Sequence, residues 1–72
     1  MRNLDDAIAV YRALVEEDNH PTLERHGNGN FVIALRLADQ CLVSQLVELE
    51  DTAKKVLANV QCIVEGQDLI IR

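Results

Sequence analysis

Tryptophan is absent, Tyr11 and Phe31 are the only aromatic residues, and proline occurs once, at Pro21. With so few large rings, the hydrophobic half of the chain is almost all Leu, Val, Ile and Ala, so the core has to be aliphatic. Serine occurs once, at Ser44, and histidine twice, at His20 and His26. A hydrolase or transferase needs a nucleophile beside a base, or paired carboxylates in a cleft, and this inventory supplies neither, so a non-enzymatic protein with no cofactor is expected. Cys41 and Cys62 lie far apart in apolar surroundings, which fits neither a CxxC redox pair nor a disulfide framework. Both are expected as reduced core residues.

Positive charge is also scarce. Seven Lys and Arg stand against twelve Asp and Glu, a net charge of -5. That balance repels nucleic-acid phosphates and anionic lipid headgroups alike, which argues against direct binding to either. No apolar stretch approaches the roughly 18 residues of a membrane helix. Met1-Arg2-Asn3-Leu4-Asp5-Asp6 puts acids where a signal peptide carries a basic head and an apolar run, so the expected compartment is the cytoplasm.

What is present in excess is aliphatic surface. At 72 residues, one domain spanning 1–72 is expected, because a second would leave neither half a core. Runs such as Cys41-Leu42-Val43 and Leu46-Val47 hold more apolar area than one face of a small element hides. They predict a homodimer or higher oligomer, with Leu42, Val43, Leu46, Val47 and Leu49 at the interface.

Leu4, Ala7, Ile8, Tyr11, Leu14 and Val15 recur at helical spacing, with Asn3 as N-cap and Asp5 and Asp6 in the first turn. The expected first helix runs from about Leu4 to Glu17, and Pro21 stops it by disfavouring helical geometry at His20. The polar stretch from Thr22 to Asn30 holds two of the three glycines and reads as a hairpin turn or a mobile loop. Phe31-Val32-Ile33-Ala34-Leu35 fits a buried strand, although it also suits a helix start. From Leu42, apolar positions advance by three or four through Leu46, Leu49, Ala53, Val56, Leu57 and Val60, predicting a helix of roughly twenty residues that starts near Ala38 or Asp39. Its first half is apolar nearly all round, which implies burial on more than one side, with a second subunit as one candidate cover. The segment 60–72 reads as two strands around a Gly66 turn.

An internal echo supports that reading. Leu4-Asp5-Asp6-Ala7 followed by Gly29-Asn30-Phe31-Val32-Ile33 is matched by Leu49-Glu50-Asp51-Thr52 followed by Gly66-Gln67-Asp68-Leu69-Ile70. The expected fold is therefore α+β, two helices on a small antiparallel sheet in the order αββαββ, as a dimer. The alternative is an all-α three-helix domain in which 31–37 and 60–64 are helical. Two local likenesses point towards protein interaction. Leu4-Asp5-Asp6-Ala7-Ile8-Ala9-Val10-Tyr11, with the exit Asn19-His20-Pro21, resembles the second helix of a tetratricopeptide repeat. Asn30-Phe31-Val32-Ile33-Ala34-Leu35-Arg36-Leu37 through Leu46-Val47-Glu48-Leu49 is similar to a helical stretch of BTB/POZ domains.

The most distinctive local feature is Arg25-His26-Gly27-Asn28-Gly29-Asn30. Two glycines let backbone N–H groups converge on an anion or phosphate, with Arg25, His26 and Asn28 as side-chain donors. The segment lacks the lysine and glycine spacing of a P-loop and the dinucleotide fingerprint, so a plain turn is the competing reading. His20 and His26, with Asp18, Glu24 and Cys41, match no standard zinc spacing, and no metal is expected. Glu16, Glu17 and Asp18, and again Glu48, Glu50 and Asp51, form acidic clusters suited to a solvated surface or to steering a basic partner. Three functions follow: an interaction or regulatory protein acting as a homo-oligomer, an acidic inhibitor of the immunity, anti-defence or nucleic-acid-mimic kind that blocks a basic protein, and a small-ligand or nucleotide binder using His26 to Asn30.

Overall fold

The computed structural model describes residues 1–40 and 43–72, so Cys41 and Leu42, with the interface role expected of Leu42, lie outside the described residues. The elements are α1 (Leu4–Glu16), β1 (Thr22–Arg25), β2 (Phe31–Arg36), α2 (Val43–Val56), β3 (Cys62–Glu65) and β4 (Asp68–Ile71). This is the α+β arrangement in the order αββαββ. The all-α alternative fails because 31–36 and 62–65 are strands; β-branched and aliphatic residues there pair across the sheet instead of lining a helix. The helical character implied by the BTB/POZ likeness fails over β2 for the same reason.

Asn3 caps α1 by accepting a hydrogen bond from the Asp5 N–H at 2.8 Å. The other end closes differently from the proline stop expected. Asn19 N–H donates to the Leu14 carbonyl and Asp18 N–H to that of Val15, both at 3.1 Å, a Schellman closure with Asp18 in the left-handed region at φ 63°. The helix has therefore ended at Glu16 before Pro21 is reached. Pro21 is instead buried at the entrance to β1.

All four strands form one antiparallel sheet in the order β1-β2-β4-β3. Each αββ half contributes a hairpin, and β2 meets β4 antiparallel in the middle. The register gives the helix-facing side two rows. Leu23, Ile33, Ile71 and Cys62 lie across one; Leu35, Leu69 and Val64 lie across the next. Val10 and Leu14 of α1, Ala53 of α2 and Val60 pack with Ile33, Leu35, Leu69 and Ile71 into the core. The core is aliphatic throughout.

The second helix is shorter than its apolar spacing predicted, fourteen residues in place of roughly twenty. Residues 38–40 lie before it, outside helix. After Val56, a turn closed by Val60 N–H on the Leu57 carbonyl at 3.3 Å brings Val60 into the core from non-helical backbone. The i, i+3 spacing persists because the turn happens to keep the same face inward. Within one chain its first half is covered on one side only: Val43 is 76% and Val47 52% exposed, and Ala53 is the one fully buried residue of α2.

Candidate functional site

The segment 26–30 is the turn between β1 and β2, and it is closed on itself. His26 N–H donates to the Asn30 carbonyl at 2.8 Å, Gly29 N–H to the His26 carbonyl at 3.0 Å, and Asn30 N–H to Asn28 Oδ1 at 3.1 Å. Gly29 takes φ 84°, which is what a glycine supplies at this point of a hairpin. Three of the five backbone donors that would have cradled an anion are thus spent within the loop. Strand alternation then separates the expected side-chain donors. Glu24, His26, Asn28 and Asn30 line a shallow depression of about 250 Å³ on the face of the sheet away from the helices, together with Val32, Ile70, Glu65 and Arg72. Arg25 falls on the other face, in register with Phe31, and does not line it.

His26 Nε2 lies 3.9 Å from Glu24 Oε2, with both side chains about half exposed, a contact weakened by solvent. Gly27 completes the turn with open space around it. Among the described residues, no three His, Cys, Asp or Glu side chains converge as a metal would require. His20 is exposed on the approach to β1.

A second feature was not legible from spacing. The acidic clusters at the end of α1 and along α2 meet, because Thr52 Oγ1 donates to Glu17 Oε2 at 2.7 Å across the helix pair. Glu17, Glu48 and Asp51 then share one concavity with Thr52 and Lys55. Beside it, Leu35, Leu37 and Leu49 form the apolar floor of a groove of about 310 Å³ rimmed by Glu17, Arg36 and Glu48. Arg36 is tied down by Gln67, which accepts from it at 2.7 Å and donates to Asp39 at 3.3 Å.

No protein family, curated protein or solved structure matches the chain.

Of the interface residues expected on α2, Val43 and Val47 are one turn apart and both exposed, whereas Leu46 and Leu49 are half-buried. Cys62 is a free thiol, half-buried on β3. Burial pushes its pKa above the ordinary 9.0, with Glu50 adding to the shift and Lys54 opposing it, so the thiol stays neutral. Lys54 is itself held charged by its hydrogen bond to Glu50 at 2.9 Å. Among the described residues, no helix is long and apolar enough to cross a membrane.

Proposed function

We propose that the protein is a non-enzymatic interaction module that works as a homo-oligomer. The observation that carries this is the apolar surface the fold leaves uncovered: Val43 and Val47 on α2, with Val64 on β3 at 51% exposure. The cytoplasm is its place of work in this reading, supported by the free Cys62 thiol. Native mass spectrometry at high micromolar concentration tests it: a dimer or larger species is expected, and a strict monomer overturns the reading.

The meeting of Glu17, Glu48 and Asp51 favours a second reading, an acidic surface that blocks a basic protein. Its mark is capture of basic proteins that weakens as salt rises. A reversal of charge at Glu48 and Asp51 that leaves such capture unchanged would remove it.

A further inference from the structure

We infer that the second copy is held by strand pairing, with β3 of one chain running antiparallel to β3 of the other so that the two sheets join into one of eight strands. This rests on the homo-oligomer reading, and it moves the contact from the α2 stripe to the edge of the sheet.

The order β1-β2-β4-β3 leaves two edges, and they are not equivalent. Gln61 and Arg72 exchange both backbone hydrogen bonds, at 2.8 and 2.9 Å. Because hydrogen-bonded and open pairs alternate along an antiparallel ladder, Ile63 and Glu65 also face β4, and the N–H and C=O groups of Cys62 and Val64 point out of the sheet. Among the described residues the strand carries no proline, bulge or lysine; its protection is limited to its four-residue length and the terminal Glu65, and its exposed Val64 is apolar.

The strand is complementary to itself. A two-fold axis through Ile63 pairs Cys62 of each chain with Val64 of the other through their outward backbone groups. It stacks Ile63 on Ile63 across the close, non-hydrogen-bonded position and sets each Glu65 against the uncharged Gln61. The half-buried row Ala34, Ile70 and Ile63 on the open face, flanked by the exposed Thr22, then continues into the second sheet.

The other edge fails the same construction. In β1 the outward backbone groups belong to Leu23 and Arg25, because His26 closes on Asn30. The equivalent axis passes through Glu24 and sets two carboxylates against each other. Pairing β1 with β3 is heterologous, so it builds rings or open filaments and not a two-fold dimer.

Two variants test the pairing. In Val64→Pro the lost N–H is one that points out of the sheet, so the fold is retained while the pairing loses a donor and meets a steric block. Loss of the dimer with an unchanged far-ultraviolet circular dichroism spectrum is expected, and Arg25→Pro on β1 should remain dimeric. In a Cys41→Ser, Cys62→Ser background, Ile63→Cys brings two sulfurs to a close pair whose Cα atoms are about 4.5 Å apart, within the span of a disulfide. It should form an intermolecular disulfide on mild oxidation, whereas Thr22→Cys should not. The cross-link decides the matter should Val64→Pro fail to fold. A monomeric wild type overturns the inference and the homo-oligomer reading together. A dimeric wild type without the Ile63 cross-link overturns the strand pairing alone.

Discussion

Asp18 occupies a backbone conformation that suits glycine. Its φ of 63° closes α1, yet a Cβ in the left-handed region costs energy, and its carboxylate sits at the negative end of the helix dipole. Asp18→Gly removes both penalties and keeps the Schellman bonds, which are made by the backbone. The expected gain is about 0.5–1 kcal/mol, partly offset by the extra freedom glycine gives the unfolded chain. A higher urea midpoint at unchanged slope would register it; a lower midpoint would show that the Asp18 side chain makes a stabilising contact. This closure was hidden in the sequence because Asp-Asn-His-Pro offers a more obvious stop three residues later. The start of the same helix was plain, since Asn3 followed by Asp5 and Asp6 satisfies both the orphan N–H groups and the dipole.

At the scale of elements, the two helices do different jobs. α1 buries Ala7, Val10 and Leu14 completely, whereas α2 buries only Ala53 and rests largely on α1. Small size at position 53 is what allows α2 to approach, so Ala53→Leu should overpack the core and cost about 1–3 kcal/mol. Val47→Ala, on the exposed side, should change stability by less than about 0.5 kcal/mol. Thermal melts of the two variants check the contrast, and equal losses would mean that α2 is buried on both sides. β2, β3 and β4 were legible as candidate strands, with helix as the open alternative for 31–37 and 60–64, because Gly29 and Gly66 punctuate β-branched runs, and each takes the positive φ its hairpin needs; β1 was not, since Thr22–Arg25 lies in the polar stretch that reads as a turn or loop. The length of α2 was not. Leu57 and Val60 stay in helical phase after the helix has ended, and periodicity alone cannot tell a buried turn from a further turn of helix. The loop 26–30 was located correctly as a turn, but the fate of its N–H groups and the facing of Arg25 depend on strand register, which composition does not carry.

For the whole molecule, the echo of αββ in the sequence anticipated two similar halves, but not that β2 and β4 would meet at the centre and leave β1 and β3 as edges. That topology makes the association proposed above a contact between two chains of charge -5 each. The chain measures 33 × 23 × 19 Å. At about 10 mM salt the screening length is ~30 Å, so each copy feels nearly the whole charge of the other; at about 150 mM it falls to ~8 Å and only charges near the shared edge count. Because Ile63 meets Ile63 there and Glu65 meets Gln61, little local repulsion remains once the long-range part is screened. Dimerisation should therefore strengthen as salt rises over that range, visible as a smaller dissociation constant in sedimentation equilibrium. The acidic-inhibitor reading makes the opposite demand of its own contact, since attraction between the Glu17, Glu48 and Asp51 surface and a basic protein weakens with screening. A homodimer that dissociates as salt is added would sink the apolar strand contact, because only an interface held by opposite charges behaves in that way.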